Sequence, residues 1–396
     1  MKWRSEPMYL ELLEHGIKDG IINLYLPTGK HYQFGRQGTE ANWIVRSEDA
    51  IKRIARDWEY NLGETYMNGD WDVAGCQLRD LLGVLRGNFK EIGQSRWLMP
   101  VLRTLQQWNR ITRSYRNVSR HYDLDEGLFR LFLDKEMNYS CAYFTHEDAS
   151  LEEAQRAKSL HIGRKLLLQP GQRVLDIGCG WGSLALFLAR RFEVETLGIT
   201  LSRRQLAAAR RRAGEQGMED RVHFELADYR EHQGHYDRIV SIGMFEHVGR
   251  PYYTTYFRRV RQLLKEDGVA LIHTIGHSGP PDNTNPWIRA HIFPGGSIPA
   301  LSEICRAAEQ AHCMITDIEV LRLHYMRTLH CWYERFQQHR EEIQAMMGER
   351  FCRMWEFYLA ICEVAFQYSD LVVFQLQLAL RHGVVPITRD YLCQDD

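Results

Sequence analysis

Residues 172–273 constrain this chain most, because short apolar stretches alternate there with helical ones. Arg173-Val174-Leu175-Asp176-Ile177 reads as a buried strand and Leu184 to Phe192 as a helix. Val194 to Ile199 is a second strand, and Ser202 to Gly217 a second helix. Val222 to Leu226 and Arg238 to Ile242 follow as strands, Tyr252 to Leu264 as a helix, and Val269 to His273 as a strand. Strands that are nearly all apolar, separated by helices, predict a parallel sheet with helices on both faces. The expected class is α/β.

The chain has 396 residues, more than one core of usual size organises, so a second, smaller α+β domain is expected. Near the N-terminus, Ile21 to Leu26 alternates and runs into the turn Pro27-Thr28-Gly29, reading as a strand and hairpin. The run Ile51 to Leu62 has helical spacing. Residues 277–396 read as a Pro/Gly-rich loop followed mainly by helices. The expected partition is a small domain over 1–95, a basic linker helix over 96–120 and a large domain over 121–396.

Charge is unevenly spread. Lys and Arg number 50 against 51 Asp and Glu, a net charge of −1, and a general nucleic-acid binder would be basic. Residues 92–122, however, hold six arginines and no acid, which leaves −7 for the rest. Within them Val101, Leu105, Trp108, Ile111 and Tyr115 share a helical face, while Arg103, Arg110 and Arg113 lie mostly on another. A basic amphipathic helix bearing Trp suits a membrane surface, and a solvated interdomain helix would show the same pattern. No stretch reaches the apolar length of a membrane span. The first six residues, Met1-Lys2-Trp3-Arg4-Ser5-Glu6, lack the apolar run of a secretory signal. Nine cysteines without a C-x-x-C pair fit reduced thiols. A cytoplasmic location is expected.

Directly after the first large-domain strand comes Asp176-Ile177-Gly178-Cys179-Gly180-Trp181-Gly182, opening a helix. Glycines at the carboxyl end of such a strand let backbone approach a ligand. A dinucleotide site would want G-x-G-x-x-G and an acid ending the second strand. Here the third glycine comes one residue early, and the second strand ends Gly198-Ile199-Thr200-Leu201-Ser202 without a carboxylate. The pattern instead resembles the first motif of S-adenosylmethionine (SAM) methyltransferases. Ala227-Asp228-Tyr229 stands where such enzymes hold the adenine amino group.

The likeness extends further. Gly63-Glu64-Thr65-Tyr66-Met67, Tyr139 to Phe144, Leu175 to Gly182, Gly198 to Ser202, Gly243 to Gly249, His273-Thr274-Ile275 and Ile292 to Gly296 occur in order. Together they resemble the cyclopropane-fatty-acyl-phospholipid synthases over nearly the whole chain. The resemblance implies a Rossmann-like SAM methyltransferase sheet and transfer of a methylene to the cis double bond of a phospholipid acyl chain. It also implies a homodimer at the inner membrane face. Tyr139, Ser140, Gly178, Gly180, Gly182, Thr200, Leu201, Gln205, Asp228 and Tyr229 would then line the SAM pocket. Cys141, Gly243, Glu246, His273, Ile275 and Tyr325 match positions that hold a bicarbonate ion.

These residue types suit the chemistry. An alkene is a weak nucleophile, so the sulfonium must be held in line with it in a dry pocket. The carbocation that follows tolerates aromatic faces, and ring closure needs a base. Bicarbonate would be that base, held by His273 and Tyr325 and oriented by an ionised Glu246. Taken singly, Cys141 reads as an apolar filler, His273 as a core histidine and Glu246-His247 as a helix-start pair. Cys141, Glu246 and His273 are also zinc-ligand types, but they lack short-spaced ligand pairs, and no metal is expected. His291 stands where an aromatic tyrosine is expected. The N-terminal domain, absent from the shorter mycolic acid cyclopropane synthases, favours a phospholipid substrate. The alternative is a methyltransferase of the same fold that makes branched or methylene chains or methylates a small amine.

Overall fold

A computed structural model describes residues 8–89 and 126–393, and the basic stretch 92–122 lies outside them. The chain divides into two compact units. No helix of the described residues is long and apolar enough to cross a membrane. All nine cysteines are free thiols.

The smaller unit carries a four-stranded sheet of β1 (Gly20–Tyr25), β2 (His31–Gln37), β3 (Glu40–Val45) and β4 (Trp71–Val73), in the order β2-β1-β3-β4. The expected hairpin is present. Gly29, at φ 80°, lets the chain reverse, its N–H donating to the Leu26 carbonyl at 3.0 Å. The helical run from Ile51 is two helices, Glu48–Arg56 and Trp58–Met67. Asp57 breaks it with φ −152° and ψ 85°, and its carboxylate caps the second helix by accepting the Tyr60 N–H.

This unit is built from three stretches of chain, not the single one expected. Asn285–Ile292 and Leu329–Asp370 join the N-terminal stretch. The reason is burial. The inner faces of Trp58–Met67 and of Leu78–Asn88 are covered by the helix Glu349–Tyr368. Gly63 passes so close to Trp287 and Phe357 that a Cβ there would lie 2.7 Å from each ring. Arg353 donates to the Tyr66 and Trp71 carbonyls at 2.6 and 2.8 Å, and Tyr66 donates to Glu356 at 3.2 Å. His291 lies in this unit, 2.9 Å from Glu64.

The larger unit is the predicted α/β body. Its sheet comprises β5 (Arg173–Ile177), β6 (Glu195–Thr200), β7 (Val222–Leu226), β8 (Tyr236–Ile242), β9 (Leu264–His277), β10 (Met314–Leu321) and β11 (Leu371–Ala379). The order is β10-β11-β9-β8-β5-β6-β7, with β5 to β9 parallel and β11 antiparallel to both neighbours. Period-2 alternation sends Leu175, Ile239, Ala270 and Ile272 to one face, under the helices Tyr253–Leu263 and Leu301–Gln310. Val174, Val240 and Leu271 face the other way, under Leu151–Lys165 and Ser183–Phe192. β10 and β11 correct the reading of 277–396 as loop and helices. In β11, Leu-Val-Val-Phe-Gln-Leu-Gln-Leu-Ala directly follows a long helix and shows no turn signal beyond Ser369-Asp370. A short apolar run of this kind looks the same in a buried helix as in a central strand.

Candidate active site

A cavity opens at the carboxyl ends of β5, β6 and β8, where open α/β sheets bind ligands. Gly178, at φ 84°, turns the chain off β5, and a Cβ there would lie 2.9 Å from Met244. Gly180 lines the cavity at φ 53° with open space where a side chain would stand. Gly182 does not line it. It caps the helix Ser183–Phe192 at φ 81°, and a Cβ would sit 2.6 Å from the Phe224 ring, so its part is packing. Gly182 thus departs from its expected place in the SAM set.

The rest of that set does converge on the cavity: Tyr139, Ser140, Thr200, Leu201, Gln205, Asp228 and Tyr229 all line it. Tyr139 meets Phe129 edge-on at 5.2 Å, and Phe129 packs on Trp181, giving this end an aromatic wall. Thr200 donates its hydroxyl to Gln205 Oε1 at 3.0 Å, tying the end of β6 to the next helix. Asp228 is held by Arg230, whose Nε and Nη2 donate at 2.8 and 2.6 Å. Arg230 also lines the cavity. It was not singled out from sequence, since an Arg two residues from an acid carries no special signal.

Part of the second predicted set meets the first at the ends of β8 and β9, where Gly243 bonds to His273 and Glu246 to Ile275. Of its six residues only Gly243 lines the cavity. The Gly243 N–H donates to the His273 carbonyl at 2.9 Å, joining the end of β8 to β9. Glu246, in a short 3-10 turn after β8, accepts the Ile275 N–H at 2.7 Å through Oε1. Its Oε2 is buried without a partner. Burial pushes the Glu246 carboxyl up to about 7, against the Ile275 N–H, which favours the charged form. His273 faces Gln375 of β11, with Nδ1 3.2 Å from the amide nitrogen. Donation by that amide leaves the imidazole proton on Nε2. Burial, aided by the nearby Lys158 charge, pulls His273 down to about 3, so the ring is neutral. Cys141 is fully buried, and desolvation raises its thiol, so it is not a thiolate nucleophile. The Ala142 N–H donates to Thr328 on the helix that carries the buried Tyr325. Among the described residues no group of three or more His, Cys, Asp or Glu is placed to hold a metal ion.

Gln375 and Lys158 escaped the sequence reading, and His247 and Asp176 entered it only as members of motif strings. Gln375 went unnoticed because its strand did; its signal is a glutamine inside an apolar run. His247 lines the cavity and burial pulls it down to about 4, leaving it neutral. Lys158 and Asp176 are both buried in the cavity lining, within electrostatic reach of one another. Lys158 occupies the buried stripe Leu151, Ala154, Lys158, Ile162 of its helix, where a charge is out of place.

Residues 109–376 match the family model described as mycolic acid cyclopropane synthetase. The chain is 40% identical over 338 residues to the cyclopropane-fatty-acyl-phospholipid synthase of Escherichia coli (strain K12), covering 84% of this chain and 86% of that protein. It is 37% identical to the tuberculostearic acid methyltransferase UfaA1 of Mycobacterium tuberculosis, covering 86% of this chain and 83% of that one. The structure of mycolic acid cyclopropane synthase CmaA1 complexed with SAH and CTAB superposes with TM-score 0.63 at 34% identity, covering 67% of this chain and 97% of that one. A glycine-turned cavity at the switch point of a seven-stranded sheet and a sequence match of this extent agree: the chain belongs to the cyclopropane synthase family and is a SAM-dependent methyltransferase of lipid acyl chains.

Proposed function

We propose that this enzyme converts the cis double bond of an unsaturated phospholipid acyl chain to a cyclopropane, with bicarbonate as the base, working as a homodimer on the cytoplasmic membrane face. The observation that carries the reading is the adjacency of two sites. The SAM cavity shares Gly243 with a buried cluster in which a carboxylate oxygen is left without a partner.

SAM, when bound, supplies an electrophilic methyl. The glycine turn lets its backbone approach, Tyr139 and Trp181 keep the cavity dry, and the thiol of Cys141 offers no competing nucleophile. Bicarbonate, when bound, supplies a base able to take a proton from the transferred methyl. Glu246, His273, Ile275, Gly243, Cys141 and Tyr325 are the residues that would hold it. They fit such an ion: an orphaned acceptor on Glu246 suits its hydroxyl, and a neutral His273 donates without adding charge. The partnerless Oε1 of Gln375 lies just behind that histidine.

One observation favours a second reading. The likeness to UfaA1 nearly equals that to the E. coli enzyme, and a methyl branch begins from the same carbocation. Product analysis separates the two. Purified enzyme with SAM and vesicles of monounsaturated phospholipid should add one CH2 per acyl chain, with ring-methylene proton signals by NMR. A methylene branch or a methyl-branched alkene in their place, formed when the carbocation loses a proton without closing a ring, assigns the second reading, and no mass gain on phospholipid removes both.

A further inference from the structure

We propose that Lys158, acting through the Ser140 hydroxyl, recognises the carboxylate of the methionyl end of SAM. Lys158 is a positioning residue in this reading, which rests on SAM being the methyl donor. Its side chain is almost wholly buried at the floor of the cavity, on the helix Leu151–Lys165. The ammonium donates to Asn138 Oδ1 at 3.2 Å and to Ser140 Oγ at 3.1 Å. Neither partner is charged, and Lys158 makes no ion pair among the described residues, although Asp134, Asp176 and Cys141 lie within electrostatic reach. A buried ammonium held only by neutral acceptors is expensive and asks for an anion.

The bond directions say where that anion belongs. Asn138 spends its Nδ2 donor on Asp134 at 2.8 Å, and Gln155 fixes the backbone by donating to the Ser140 carbonyl at 2.9 Å. Ser140 Oγ accepts from the ammonium, so its own proton is left to point elsewhere. Ser140 is half-buried and lines the cavity, and the adjoining charge strengthens it as a donor. A polarised hydroxyl backed by a positive charge is complementary to a carboxylate. Arg230, another cation in the cavity lining, is already committed to Asp228. Lys158 therefore marks the end that takes the carboxylate.

The test compares two ligands that differ by one group: S-adenosylhomocysteine (SAH) and its decarboxylated analogue, which keeps the amine. Wild-type enzyme should bind SAH at least tenfold more tightly. In Lys158→Met the SAH affinity should fall tenfold or more while the analogue stays within twofold, both by titration calorimetry. Ser140→Ala should show the same selective loss and covers the case in which Lys158→Met does not fold. Equal losses for both ligands, or no loss for SAH, would overturn the assignment of Lys158 alone. No SAH binding by the wild type would overturn the SAM reading and this one together.

Discussion

Glu246 concentrates the residue-scale chemistry. Its carboxyl is pushed up to about 7 because burial outweighs the hydrogen bonds that favour the charged form, the Ile275 N–H first among them. A bound anion donating a hydroxyl to Oε2 would favour the ionised form that the sequence reading asked for. In the free protein the sign runs the other way. A folded pKa above the unfolded value of 4.5 means that stability from this group is complete below pH 4.5 and is lost as pH rises through 7. Glu246→Gln should therefore gain on wild type in thermal stability between pH 5 and pH 8, by up to about 3 kcal/mol from the size of the shift; a gap that stays constant with pH contradicts this. At pH 8, added bicarbonate should raise the melting temperature of wild type and not of Glu246→Gln. Turnover in Glu246→Gln should drop at least tenfold, or about 1.4 kcal/mol in the barrier, with SAM affinity nearly unchanged. Near wild-type turnover would take Glu246 out of the mechanism. The Glu246 and His273 positions were legible from motif strings. The partner of His273 was not, because Gln375 is distant in sequence and sits in a strand that local pattern did not reveal.

At the scale of elements, the strand–turn–helix from β5 into Ser183–Phe192 shows how one motif divides its labour. Gly178 and Gly180 border the cavity, whereas Gly182 lets the helix close on Phe224 and Ala209. Gly182→Ala should cost about 1–3 kcal/mol in denaturant unfolding, from a left-handed φ joined to overpacking. SAM affinity, measured where the variant is folded, should change less than stability. A variant as stable as wild type would remove the packing role. The parallel strands were readable because helices cover both faces, which makes their central positions mostly apolar. β10 and β11 were not; in β11 a short, mainly apolar run directly after a long helix reads equally well as more helix. The hairpin of β1 and β2 was readable from turn chemistry alone.

The whole molecule carries a neutral total charge over an uneven distribution. Arg103, Arg110 and Arg113 all fall in the basic stretch, which lies outside the described residues. Under the proposed membrane role, replacing the three with Gln should weaken binding to anionic vesicles by about 1 kcal/mol per arginine at low salt. It should leave binding to zwitterionic vesicles unchanged, and co-sedimentation across a salt series reads both. Equal loss on both surfaces would assign the arginines to folding instead. The division into units is where sequence order misled most, because a contiguous boundary near residue 95 cannot show that 285–292 and 329–370 return to the N-terminal stretch. By itself, the sequence determined the α/β class, the succession of strands and helices up to β9, the glycine turn and the family. Each of these is written in short-range periodicity or in contiguous strings. Only the tertiary structure decided which helix completes the smaller unit, where β11 inserts, that Gln375 backs His273 and that Lys158 is buried behind Ser140. Burial and long-range pairing set those outcomes, and their free energies belong to residues far apart along the chain.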